Sequence, residues 1–304
     1  MTKLRFLVSL ITEDNDYQME QAAAAKAAAA ELGVEAQIVY ANNDPITQST
    51  QVLKAIQTEP SLWPSGIFVE PVGATSFPQV AATAASAGIG WAILSRGTDY
   101  TGELRKTARS PVFSVSADQL EVGRIQGRQV AALLPRGGSV LLIQGPLVSS
   151  VSRDRHAGLQ ELLAPNVHVT SLRGRWTAES AHQSVSSWLR MIAAQRLRID
   201  LIVAQNDVMG MGARKAMEET IVDADRDHWL GIPIIGCDGV PKTGQTWVRT
   251  GQLAATVVVP PSTGEAMTLM TNALRSGASV PEHFFTTPTP FPAIEKLAPR
   301  RVAG

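Results

Sequence analysis

Short apolar runs alternate along the chain with longer segments whose apolar residues recur at helical spacing. The runs predict strands over Leu4–Leu10, Val34–Tyr40, Gly66–Glu70, Gly90–Ser95 and Val112–Val115, then over Ser139–Gln144, Val167–Leu172, Leu201–Gln205, Ile232–Cys237 and Leu253–Val259. Between them, helical patterns cover Tyr17–Leu32, Gln48–Gln57, Gln79–Ala87, Asp118–Leu134, Asp154–Leu163, Ala178–Ala194 and Pro261–Arg275, with a further helix opening after Gln205. Strands that alternate with helices predict parallel sheets with crossover helices, an α/β fold. Ten strands exceed what one small unit holds, so more than one sheet is expected. The tract "QAAAAKAAAA" is high-propensity helix filler. The stretch "TTPTPFP" (Thr286–Pro292) predicts an extended crossing segment, because its prolines remove ladder donors and bias their predecessors away from helix.

Composition narrows the function classes. At 304 residues the chain can bury a sizeable core, and 27 Lys+Arg balance 27 Asp+Glu, so no global charge invites nucleic acid or an anionic membrane. The single cysteine, Cys237, excludes an internal disulfide. The start "MTKLRFLVSLITEDND" is too short in apolar length, and lacks the small-residue cleavage site, for a secretory signal; it is expected to be a first strand. No apolar run approaches the roughly 20 residues a bilayer requires.

Catalytic machinery is hard to find. The chain has no HExxH, no GxSxG, no P-loop and no paired cysteines. His156, His168, His182, His228 and His283 lack ligand spacing, so neither a metal nor a cofactor is expected. The "GMG" at Gly210–Gly212 falls inside a predicted helix and lacks the third glycine of a dinucleotide loop, which favours helix packing. Cys237 ends an apolar strand as a small hydrophobe. What does recur is a polar group just after a strand: Asn15 and Asp16, Glu70, Ser95 with Arg96, Arg155, Trp176, Asn206 and Asp238. Amides, guanidinium groups, carboxylates and an aromatic suit a polyhydroxyl ligand, whose hydroxyls donate to carboxylates and accept from guanidinium groups while its ring lies on the aromatic. Helix capping is the competing explanation, and is preferred for Asp207 and Asp154; on that reading Asp207 caps its helix and leaves Asn206 free for a ligand. Arg96 and Arg155 resist it, because a cation disfavours the positive end of a helix dipole.

At these residues the chain resembles the type I periplasmic sugar-binding proteins, close to the ribose-binding branch, whose fold is shared by the ligand domains of LacI-type repressors. The resemblance spans nearly the whole chain and rests on "ILSRG" (Ile93–Gly97), "SRDRHAGLQELL" (Ser152–Leu163), "AQNDVMGMGARKAM" (Ala204–Met217) and "GCDGVPKTGQTWVRTGQLAATV" (Gly236–Val257), in that order. It implies two doubly wound parallel-sheet lobes joined by a three-segment hinge near Ala117, Val259 and Thr287, with the sugar between them. The lobes would be Met1–Ala117 with Pro260–Thr287, and Asp118–Val259 with Pro288–Gly304. By motif position, Asn15, Arg96, Arg155, Asn206 and Asp238 match the family's hydrogen-bonding residues, and Tyr17 and Trp176 its ring-stacking aromatics; Asp16, Glu70 and Ser95 complete the expected ligand set. Ser95 stands where the ribose branch has an aspartate, Gln18 where it has a second aromatic, and Val259 where it has a glutamine, while Glu70 replaces the usual amide and could restore the missing carboxylate.

The resemblance further implies a periplasmic, non-enzymatic monomer that presents a monosaccharide or polyol to an ABC transporter permease, or, as an alternative, signals sugar occupancy to a sensor kinase. With Met1 almost at the first strand, no repressor-type headpiece is expected. Arg155 and Asp238 are expected on strand ends facing water in the ligand-free state, so that truncating either weakens binding with little effect on melting.

Overall fold

The computed structural model describes residues 3–73, 77–192, 198–221 and 226–299. The chain divides into two compact units, Met1–Ala117 with Pro260–Thr286 and Asp118–Val259 with Thr287–Gly304. The first holds strands β1 (Arg5–Leu10), β2 (Glu35–Tyr40), β3 (Gly66–Val69), β4 (Gly90–Leu94), β5 (Val112–Ala117) and β11 (His283–Thr286). They form one sheet in the order β11-β5-β4-β3-β1-β2, every pairing parallel.

Alternate residues of these strands point to opposite faces, and each face is covered by helices. Phe6, Val8 and Leu10 pack with Phe68, Leu94 and Val115 beneath α1 (Asp16–Leu32) and α11 (Ser262–Ser276). Leu7, Ile67, Val69, Trp91 and Ile93 face α2 (Pro45–Ile56), α3 (Pro78–Ser86) and α4 (Thr101–Thr107). The alanine tract of α1 contributes Ala22, Ala25, Ala28 and Ala29 to the first layer. Their recurrence every three or four residues keeps one face of small side chains against the sheet and α11.

The second unit is built the same way around a parallel sheet of β6 (Gly138–Gln144), β7 (Val167–Arg173), β8 (Leu201–Ala204) and β9 (Ile234–Ile235), in the order β7-β6-β8-β9. Helices α7 (Ala178–Ile192) and α8 (Asp207–Thr220) cover one face through Leu141, Ile143, Ile202 and Ile234. Helices α5 (Gln119–Leu133) and α6 (Ser150–Leu162) cover the other through Val140, Leu142, Leu201 and Val203. Short helices α9 (Arg226–Leu230) and α10 (Gly244–Arg249) complete it.

Several sequence expectations shift. The run Ile232–Cys237 keeps strand pairing only at Ile234–Ile235, because Gly236 and Asp238 bond instead to Ala255 and Val257 of the next segment. Strand β10 shortens to Thr256–Val258 and pairs antiparallel with β12 (Thr289–Phe291), with Val257 opposite Pro290. The proline-rich stretch is therefore extended but partly a strand, tolerated because a two-stranded ribbon leaves proline on an edge. Strand β11 escaped prediction: it is four residues at the sheet's edge, with half-exposed alternation. Asp154 caps nothing, since α6 begins at Ser150 and places it mid-helix. Residues 193–194 of the predicted Ala178–Ala194 helix lie outside the described residues.

Candidate functional site

In the first unit β4, β3 and β1 are neighbours and parallel, so their carboxyl ends share one edge, the edge at which ligands bind in open α/β sheets. After β1 the chain enters α1 through Asn15, whose Oδ1 accepts from the amides of Tyr17 (2.9 Å) and Gln18 (3.2 Å). Asn15 is thus the helix cap, and only its amide nitrogen remains for a ligand. Half-buried Tyr17 donates its hydroxyl to the carbonyl of Pro260 (3.3 Å). Asp16 is exposed in the first helical turn, where it favours the helix dipole. Glu70 follows β3 and is 4% exposed; burial raises its carboxyl pKa, and hydrogen bonds from Gln18 and Ser95 and the charge of Arg96 oppose that rise. Burial likewise lowers the pKa of Arg96, countered by Glu70. Ser95 adopts φ +66°, an uncommon conformation for a residue with a side chain.

The second unit gathers the remaining residues. Arg155 lies on α6 rather than at a strand end, and is 5% exposed. Its Nε donates to Gln119 Oε1 (2.8 Å), its Nη1 to the carbonyl of Gln205, and Nη1 stands 3.5 Å from Asp238 Oδ1. The guanidinium also lies over the Trp176 ring, 5.8 Å from its centroid. Trp176 sits after β7 at φ +66°, and a Cβ on Gly145 would come within 2.2 Å of its ring. Glycine at 145 is thus what admits the indole. Gln205, which no sequence signal marked, accepts from the Gly145 amide (2.9 Å) and Ser152 hydroxyl (2.8 Å) and donates to the Ser152 carbonyl (2.9 Å). It thereby ties β8 to the start of the helix that carries Arg155.

The Asn206–Asp207 pair reverses its expected roles. Asn206 is the cap of α8: its Oδ1 accepts from Met209 N (3.0 Å) and its Nδ2 donates to the carbonyl of Trp176 (3.1 Å). Asp207 is buried at the first helical position, accepting from Thr256 Oγ1 (2.6 Å) and Gly239 N (2.8 Å), while its own amide donates to the carbonyl of Cys237 (2.7 Å). A Cβ at Gly236 or Gly244 would meet this carboxylate at 2.0 Å. Asp207 therefore holds the turn that presents Asp238, itself at φ +100°. The expectation that Arg155 and Asp238 face water fails for Arg155, which the protein itself already engages on three sides.

Burial, reinforced by repulsion from Asp238, raises the Asp207 pKa well above its usual value. An acid whose pKa is higher folded than unfolded makes the folded state bind more protons, so stability falls as pH rises between the two values. Melting temperature is expected to climb on acidification from neutral pH toward the ordinary carboxylate range, and Asp207→Asn to flatten that climb. A slope that survives in the variant would assign it to another group. Cys237 is buried, and desolvation pushes its thiol pKa up, out of the nucleophilic range. Gly212 lies against the carbonyl of Ala178, where a Cβ would sit at 2.1 Å, so the "GMG" segment serves helix packing. Among the described residues no helix is long and apolar enough to cross a membrane, and no group of three or more His, Cys, Asp or Glu could hold a metal ion.

Comparison with known proteins places this geometry. Residues 6–279 match the family described as periplasmic binding protein domain. The chain is 31% identical over 219 residues to a xylitol-binding protein of Mycolicibacterium smegmatis, covering 71% of this chain and 56% of that one. It is 27% identical over 158 residues to the ribose import binding protein of Salmonella typhimurium, covering 52% of this chain and 50% of that one. The matches thus span about half the length of these curated relatives. An ABC transporter periplasmic solute binding protein from Actinobacillus succinogenes, solved with bound D-allose, superposes with a TM-score of 0.82 at 19% identity over 97% of this chain and 99% of that one. With the family match covering most of the chain, the chain belongs to the periplasmic binding protein domain family.

Proposed function

We propose that the protein is a periplasmic solute-binding protein that captures a monosaccharide or related polyol through polar side chains near its strand ends and presents it to an ABC importer. One observation carries the reading: in the second unit the Arg155 guanidinium on α6 stands 3.5 Å from Asp238 Oδ1 and lies over the Trp176 ring, a cation, a carboxylate and an aromatic gathered in one place. Such a pair suits a hydroxyl, which donates to the carboxylate and accepts from the guanidinium. Neutral hydroxyl ligands also fit the balance of one positive and one negative group. The names of the relatives, which bind xylitol, ribose or D-allose, support the same chemistry. Binding of this kind requires no general base, and the residues nominate none, so a bound sugar is expected to be recovered unchanged by NMR.

Calorimetry against pentoses, hexoses, polyols and sugar acids tests the proposal, and the absence of heat from every one would overturn it. Ribose is not expected to be the tightest ligand in that panel. Ser95 is a neutral side chain, and Val259 is buried and apolar, so two polar partners expected for ribose are missing. A ribose affinity above all other sugars would contradict this.

A further inference from the structure

Helix α5 buries three glutamines, Gln119, Gln126 and Gln129, at spacings that place them along one face. Gln119 accepts from Arg155 Nε (2.8 Å), and Gln129 donates to the carbonyl of Thr256 (2.9 Å), whose hydroxyl bonds Asp207 (2.6 Å). Gln126 joins two neighbouring strands: its Nε2 donates to the carbonyls of Ala204 (2.8 Å) and Gly236 (3.0 Å). The pairing of β8 with β9 ends at Val203 opposite Ile235, so Ala204 and Gly236 would be the next pair in register. The strands part there because the Gly236 amide turns to the Ala255 carbonyl (2.9 Å). The side-chain amide of Gln126 bridges the opening, with one proton for each carbonyl. Its Oε1 is buried without a hydrogen-bond partner among the described residues. An unpaired buried acceptor is unfavourable, so what this glutamine contributes is its two donors.

Two residues beyond Ala204 stands Asn206, whose Nδ2 holds the Trp176 carbonyl (3.1 Å), and two residues beyond Gly236 stands Asp238. Resting on the sugar-binding reading, we propose that Gln126 is a positioning residue of the second unit: fully buried and out of reach of any ligand, it fixes the opening between β8 and β9 and thereby the spacing of Asp238 from Trp176. A site held at its working spacing before the ligand arrives binds more tightly, because association then bears no cost of ordering the two strand ends.

The test compares wild type with Gln126→Met, which nearly keeps the volume and removes both donors. Xylitol, D-ribose and D-allose are titrated separately into each by calorimetry well below both melting temperatures, where both proteins are folded and lower stability alone cannot change the affinity. For any of the three that binds wild type, Q126M is expected to bind about tenfold more weakly. In the ligand-free variant, hydrogen exchange should quicken at the amides of Asp207 and Asp238, which bond Cys237 and Val257 at the parted ends, and keep its wild-type rate at Asp200, which bonds Ser139 at the opposite end of β8. Wild-type affinity in a Q126M that melts early makes the glutamine merely structural and overturns the proposal; exchange that quickens equally at all three amides does the same. Should Q126M fail to fold, Gln126→Asn, whose donors sit on a side chain one methylene shorter and cannot reach both carbonyls, carries the same comparison with the same overturning results. Silence of wild type toward all three sugars removes the sugar reading and this role with it, whereas binding that is indifferent to Q126M removes only the role of Gln126.

Discussion

Replacing Gly158 with alanine is expected to lower the melting temperature of the ligand-free protein by roughly 4–8 °C, from a net loss of about 2 kcal/mol. A Cβ at Gly158 would lie 1.9 Å from the carbonyl oxygen of Leu120, and one at Gly123 would lie 2.1 Å from that of Arg155. The two helices α5 and α6 thus approach glycine to backbone in both directions, and a backbone carbonyl cannot rotate away as a side chain can. Alanine improves helix propensity by about 1 kcal/mol. Overpacking costs about 1–3 kcal/mol and more where backbone must move, so the clash wins. Gly264→Ala is the control: on α11 its Cβ would find nothing nearer than 3.7 Å, so the variant should melt at or above wild type. Calorimetric melts of G158A and G264A decide the matter, and equal shifts in both would mean that the close approach carries no energy. Affinity should fall with stability in G158A, because the displaced helix carries Arg155.

Arg155→Ala is expected to lose on both counts, weakening sugar binding about ten- to a hundredfold and destabilising the ligand-free protein by roughly 3 kcal/mol. The affinity term follows from the guanidinium beside Asp238 and over the Trp176 ring. The stability term follows from burial, since truncation strands Gln119 Oε1 and the Gln205 carbonyl and leaves the Asp238 carboxylate without its cation. The lower end of the range for a broken buried pair applies, because the pair is 3.5 Å apart and the Asp238 side chain is 18% accessible. Melting and calorimetry on the same variant separate the contributions. Lost affinity with an unchanged melt would make the protein contacts incidental, and an early melt with unchanged affinity would remove Arg155 from the site.

Much of the architecture was legible from local pattern. The runs before Glu70, Ser95 and Asn206 are strands whose burial on both faces leaves uninterrupted apolar sequence, and their polar successors do stand at sheet edges. Weak or non-local elements were not: β11 is short and half exposed, and β9 loses its ends to a segment some 20 residues on. Arg155 was expected at a strand end because a helix start five residues earlier, at Ser150, carries no strong cap signal; Ser149 makes no side-chain capping bond.

Strand and helix periodicity, together with the order of the polar groups along the chain, determined by themselves that this is a parallel α/β protein with polar side chains following its strands, since those features depend on spacing within one segment. Which residue does which task was decided only by the tertiary structure. Asp207 and Asn206 have equal claim to a helix cap in sequence, and the choice falls to Asn206 because Thr256, 49 residues away, and Gly239, 32 residues away, capture the aspartate. Ser95 and Ser262 stand 167 residues apart in sequence, and only the fold brings both hydroxyls to the buried amide of Gln21. A polar side chain takes its role from the partner that remains once burial has removed water, and that partner is a neighbour in space.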